Sequence, residues 1–138
     1  MSESMPKTKK PEAGVNPVYN AMLKLAEKHG VSVCENEIEQ FGPNGVYTHY
    51  CKSGIELHLI IIDSNLEIEK KIFVLGHELG HYALHQKRMD EIHNKNKLLG
   101  LTNHYDNEPK MEKDANEFAE RLISFVTRHL TRKLPNAA

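Results

Sequence analysis

Between Ser64 and about His85 the chain carries two kinds of side chain on opposite sides of one helical period, and no other stretch constrains the fold as strongly. At about 100° per residue, Ile68, Ile72, Leu75, Leu79, Tyr82 and Ala83 gather between roughly 140° and 240°. On the same wheel His77, His81 and His85 fall near about 0°, 40° and 80°, with Glu78 near about 100°. A helix divided in this way must lay its apolar stripe on a core and turn its polar stripe towards a cleft. Ser64 with Glu67 three residues later predicts a capping box at its start. Gly76 and Gly80 cost roughly 1 kcal/mol each relative to Ala in mid-helix. Such a cost predicts close approach of another element, either the strand layer or the last helix.

Local signals place the remaining elements. Asn16 followed by Pro17 reads as an N-cap with proline at the first helical position, Val18, Met22, Leu25 and Ala26 recur at helical spacing, and His29-Gly30 closes the helix. Val31 and Val33 predict a short strand and Val46 to Tyr50 a second. Lys52, Ser53 and Gly54 then turn the chain into the strongest strand, Ile55 to Ile62. Its first half alternates Ile55, Leu57 and Leu59 against Glu56 and His58, whereas Ile60, Ile61 and Ile62 run together, as in a strand end covered on both faces. Gln86 to Pro109 is polar apart from Leu98, Leu99 and Leu101, and its length points to a functional loop or a partly helical lid. Pro109 opens a last helix through about Arg132, with Arg128, His129, Arg132 and Lys133 against its negative end. Residues 1–14 read as a disordered tail and residues 15–134 as one α+β domain, a small antiparallel or mixed sheet packed against three helices.

With 138 residues the chain can bury a core without staples. Eighteen basic against 19 acidic residues give a net charge of -1, which supplies no whole-chain attraction to nucleic acid or an anionic membrane. The N-terminus has Lys7, Lys9 and Lys10 but no apolar signal region, and no apolar run approaches the roughly 20 residues needed to span a bilayer. Cys34 and Cys51 belong to no CxxC pair and read as reduced, packed thiols, with a bridge between them the minor alternative. A cytoplasmic monomer is expected, without direct nucleic-acid contact.

Residues 77 to 81 spell His-Glu-Leu-Gly-His, an HExxH pattern. Nine His and 15 Glu produce such a string by chance in roughly one chain in sixteen, so its context carries the argument. Two imidazoles four residues apart sit one turn above each other and can converge on one zinc ion at ~2.0 to 2.1 Å. Glu78 lies beside the metal rather than on it, placed to take a proton from water and pass it to a leaving amine. A third ligand is expected from the last helix, where Glu112, Asn116, Ala119, Ile123 and Val126 form one stripe. Asp114 and Glu117 lie about 160° and about 140° from Glu112 and read as solvated or pairing groups. Glu108 competes with Glu112, but as the residue before Pro109 it is pushed towards extended geometry.

Asn116 is placed to hydrogen-bond a ligand imidazole. His85 reads as a hydrogen-bonding group, because hydrolytic zinc sites keep three protein ligands and one open position. An oxyanion donor beyond the metal is also required. His104 and Tyr105 in the long loop are the candidates taken from a set that also holds Tyr82, His58 and Tyr50, and a solvated loop pair is an equal reading of the two.

HELGHYALH, followed by Glu112-Lys113-Asp114-Ala115-Asn116-Glu117-Phe118-Ala119, resembles the ImmA/IrrE family of zinc metallopeptidases, whose members carry HELGHxxLH and then ExxANxFA. The likeness runs from about Val15 to Phe125 and departs from the family's LLMP-like stretch at Leu122-Ile123-Ser124-Phe125. It implies a minimal gluzincin-like α+β domain with His77, His81 and Glu112 as ligands to Zn2+ and Glu78 as base. It also implies a site-specific endopeptidase whose substrate is a helix-turn-helix repressor of a phage or mobile element. The strand Ile55 to Ile62, if it lies at a sheet edge, can pair with an extended segment of that substrate. The rival reading is a non-proteolytic zinc-binding regulatory or toxin module that acts by binding a partner; no helix-turn-helix unit is visible in the chain itself.

Overall fold

Asn16 opens the first helix as its sequence predicts: its Oδ1 accepts the backbone N–H groups of Val18 at 2.9 Å and Tyr19 at 3.0 Å. A computed structural model describes residues 16–38, 44–91 and 108–133. The expected tail over 1–14 and the part of the long connection over 92–107 lie outside the described residues.

The elements run α1 (Pro17–Lys28), β1 (Val31–Asn36), β2 (Gly45–Lys52), β3 (Ile55–Asp63), α2 (Ile68–Gly80) and α3 (Pro109–Lys133). The sheet is mixed, in the order β1-β3-β2, with β1 parallel and β2 antiparallel to β3. Ser53 and Gly54, at φ 54° and 80°, form the two-residue turn of the β2–β3 hairpin, where positive φ at both positions matches the strand twist. Tyr19, Met22 and Ala26 of α1, Val31, Tyr47, Ile60 and Ile62 of the sheet, and Ile72, Leu75 and Leu79 of α2 make one buried cluster. The expected α+β architecture is therefore present, with the helices packed against a three-stranded sheet. Among the described residues no helix is long and apolar enough to cross a membrane.

Four local expectations need correction. The helix starts at Ile68 rather than Ser64, and Glu67 makes no side-chain cap bond. The Ser64 N–H instead donates to the Asn36 carbonyl at 2.9 Å and Asn65 N–H to Asp63 Oδ1 at 3.0 Å, so pairing with β1 takes the groups a capping box would use. The helix also does not end at His85: α2 passes into a π turn over His81–His85 and is helical again over 86–91. Ala83, inside this wider turn, is exposed although its α-helical position is on the core face. Ile55 and Leu57 stand 63% and 43% exposed, so alternation at the start of β3 does not report burial. Cys51 is exposed, and β3 separates its strand from that of Cys34, so neither packing of Cys51 nor a bridge between the two holds.

The mid-helix glycines have the reason expected of them, and the partner is the last helix. A Cβ on Gly76 would lie 3.0 Å from both Cα and Cβ of Ala119, and one on Gly80 3.1 Å from Ala115 Cα and Phe118 Cβ. The backbones of α2 and α3 are thus in contact. Opposite this seam the buried Glu35 of β1 accepts Tyr19 Oη–H at 2.8 Å and Lys71 Nζ–H at 2.7 Å, a network that joins α1, β1 and α2.

Candidate metal centre

Because Gly76 and Gly80 let the two helices touch, the carboxylate of Glu112 on α3 reaches across to the imidazoles of α2 and its π turn. Glu112 Oε1 lies 3.0 Å from His77 Nε2, Glu112 Oε2 lies 3.0 Å from His81 Nε2, and the two Nε2 atoms are 3.1 Å apart. Metal–ligand bonds of ~2.05 Å in a tetrahedron separate donor atoms by about 3.3 Å. The triangle is close to that size, so this His2Glu donor set could hold a transition-metal ion.

The far side of each imidazole is occupied. His77 Nδ1 lies 2.7 Å from Asn116 Oδ1, which takes an N–H from that nitrogen and leaves the Nε2 lone pair facing the cluster. His81 Nδ1 lies 3.1 Å from His85 Nδ1, and His85 Nε2 lies 3.7 Å from Asp114 Oδ2. His81 is buried, and burial, partly offset by Glu112, pulls its pKa down to about 4, so a neutral ring is favoured.

Glu78 is 7% exposed, and burial together with the charge of Glu112 raises its pKa to about 8, against the pull of a backbone N–H that Tyr47 donates to it. The crossing of β2 over α2 is tight, since a Cβ on Gly45 would collide with Val74 Cγ1 and lie 3.5 Å from Glu78 Cγ. A cleft of about 290 Å³ opens here, lined by Asn44, Gly45, Lys70, Phe73 and Val74 together with His77, Glu78, Glu112 and Asn116.

His77, Glu78, His81 and Glu112 are therefore brought together, with Asn116 and His85 behind the two imidazoles. Glu108 is exposed and held by Arg88 through two 3.0 Å contacts, away from the cluster. Tyr82, His58 and Tyr50 do not line the cleft. Tyr82 donates to the His29 carbonyl at 3.2 Å, His58 Nδ1 is 2.8 Å from Tyr47 Oη, and Tyr50 is 48% exposed. His104 and Tyr105 lie outside the described residues. Sequence reasoning missed Lys70 and Phe73, although both lie within about 40° of His77 on the helical wheel and the polar stripe could have been read back to them. Asn44 and Gly45 carry no comparable signal, because only the tertiary crossing brings them to the cleft.

A mixed three-stranded sheet under an HExxH helix, with a carboxylate supplied from a following helix, defines a small zincin-like α+β domain. The chain belongs to the IrrE N-terminal-like domain family of peptidases, whose model matches residues 26–123. It is also similar to Metallopeptidase ImmA of Bacillus subtilis (strain 168), 32% identical over 127 residues, which is 91% of this chain. The chain spans 60% of the length of that relative. No solved structure matches it significantly.

Proposed function

We propose that the chain is a zinc-dependent, site-specific endopeptidase in which His77, His81 and Glu112 hold the ion and Glu78 is the general base. One observation carries the reading: three donor atoms converge while a buried carboxyl, Glu78, lies beside them at the wall of an open cleft. Membership of a peptidase family, in which a metal is implied, supports it.

The chain's own groups divide the work. Asn116 and His85 orient the two imidazoles so that their Nε2 atoms face the ion. Zinc held there supplies a Lewis acid for the scissile carbonyl and lowers the pKa of a water towards about 7. Glu78, neutral at pH 7 when only Glu112 is near, is driven to its carboxylate by an adjacent cation. In that form it accepts a proton from water and delivers it to the leaving amine. β3 cannot receive a substrate strand, contrary to the expectation from its sequence, because β1 and β2 pair with both of its edges. The outer edge of β2 has no strand partner among the described residues, and Asn44 and Gly45 bring that edge to the cleft. An extended peptide adding to β2 therefore passes Glu78.

A helix-turn-helix repressor of a phage or mobile element is the proposed substrate, on the strength of the family resemblance. The test is incubation of the purified chain with a co-expressed candidate repressor, with and without chelator. Wild type should cut it, chelation should stop the cut, and Glu78→Gln should retain zinc while losing cleavage. Full activity in Glu78→Gln would sink the mechanism. A zinc-loaded wild type that captures the repressor without cutting it would favour the binding module instead.

A further inference from the structure

We propose a second divalent-cation site on this chain, formed by His49 of β2 with Glu56 and His58 of β3. His49 and His58 are direct cross-strand partners, and Glu56 lies two residues from His58, so all three point to one face of the hairpin. The two imidazoles stack with ring centroids 4.5 Å apart and planes 3° from parallel. Glu56 Oε2 lies 2.8 Å from His49 Nε2 and 3.6 Å from His58 Nε2, and the donor atoms of the three residues all fall within 4.8 Å of one another. The separations 2.8 and 3.6 Å bracket the edge of about 3.3 Å expected for a tetrahedral zinc. The longer one exceeds a hydrogen bond, so a proton alone does not join His58 to the carboxylate.

The surroundings of the three residues fit a ligand role. His49 Nδ1 is 2.8 Å from Asp90 Oδ2, and His58 Nδ1 is 2.8 Å from Tyr47 Oη. Each ring therefore has a partner for its Nδ1 and presents Nε2 to the common point; behind His49 that partner is a carboxylate, which takes the Nδ1 proton and leaves Nε2 able to bind a metal. Tyr82 of the π turn stands edge-on to His58 at 5.0 Å and to Tyr47 at 6.0 Å, which holds the rings in place. Both histidine side chains are nearly buried, at 12% and 13% exposed, whereas Glu56 is 57% exposed and leaves an entry path from solvent. Two imidazoles and one carboxylate suit zinc or a neighbouring first-row ion and not magnesium, which needs oxygen donors. Bound there, the ion would clip the β2–β3 hairpin to residues 86–91 through the Asp90–His49 contact.

The site is independent of the proposed peptidase centre, and the two can fail separately. Zinc titration of the full chain with metal analysis after dialysis should give two ions per chain for wild type and one for His58→Gln. The double variant His77→Ala/His81→Ala, which removes the first centre's imidazoles, should retain one ion. Adding Glu56→Gln to that double variant should weaken its zinc binding at least tenfold, and magnesium should not compete. Asp90→Asn should weaken binding at the second site roughly 10- to 100-fold with its stoichiometry at saturation unchanged. If the double variant does not fold, the wild-type and His58→Gln stoichiometries decide alone. Equal counts in wild type and His58→Gln overturn the proposal, whereas one ion in wild type and none in His58→Gln would support it and count against the first centre instead.

Discussion

His77 Nδ1 stands 2.7 Å from the side-chain oxygen of Asn116, one turn along α3 from Glu112, so a single helix supplies both a carboxylate to the cluster and the group that orients an imidazole within it. Asn116→Ala should lower zinc affinity roughly 10- to 100-fold while leaving the helical signal intact. Competition with a chromophoric chelator measures the first and circular dichroism the second. Unchanged affinity would show that His77 needs no orienting partner.

The α2–α3 seam makes a second prediction. Gly76→Ala would gain up to about 1 kcal/mol of helix propensity but must push against Ala119 Cα and Cβ, which cannot rotate away. Overpacking costs about 1–3 kcal/mol, so the variant should be net destabilised by roughly 1–2 kcal/mol in urea unfolding. Ala119→Gly in the same chain should recover part of the loss, since it removes one of the two clashing atoms.

Glu78 gives a pH dependence for the metal-free protein. Its carboxyl binds a proton up to pH about 8 when folded, against an ordinary value of 4.5, so the folded state holds a proton that the unfolded chain has released. Its contribution to stability is complete below 4.5 and declines as pH rises to about 8. Glu78→Gln removes that decline, which runs at about 1.4 kcal/mol per pH unit between the two values. Metal-free Glu78→Gln should therefore gain stability over metal-free wild type at pH 9 and little at pH 4, by thermal unfolding. An equal difference at both values would mean that the buried carboxyl carries no such cost.

The Tyr19–Glu35–Lys71 network predicts an asymmetry between single and double variants. Lys71→Met leaves the buried Glu35 carboxylate, among the described residues, with the Tyr19 hydroxyl alone as side-chain partner, and losing one member of a buried ion pair costs about 3 kcal/mol. Converting the carboxylate as well, in Lys71→Met/Glu35→Gln, should restore most of that stability in denaturant titrations. A double variant as unstable as the single one would place the cost in lost packing of the lysine stem.

Much of this arrangement is legible in the chain because it is periodic. The Asn16–Pro17 start follows from local capping chemistry, while the opposed faces of α2 and the Glu112 stripe follow from a repeat of 3.6 residues, and the structure brings His77, His81 and Glu112 together. The features that stay hidden depend on partners far along the chain. Ser64 and Glu67 look like a capping box until β1 takes the Ser64 N–H. The strand Ile55–Asp63 looks no different at an edge or in the centre, because both positions accept β-branched residues. The π turn is not encoded by any local residue preference, and it displaces Ala83 from the face that α-helical counting assigns to it. Glu35 gives no local sign of burial because its two partners come from other elements.

The central place of β3 also sets an order of events. β1 and β2 do not pair with each other, so among the described residues neither has a strand partner until Ile55–Asp63 exists. On a ribosome, β1 and β2 emerge before either has its strand partner and must wait for the strand that immediately precedes the histidine helix. Closure of the β1–β3 pair therefore comes late and spans a long loop, the slow kind of contact in folding. The residues that would bind metal then leave the tunnel just as their supporting sheet becomes possible, and Glu112, further along the chain, must join last.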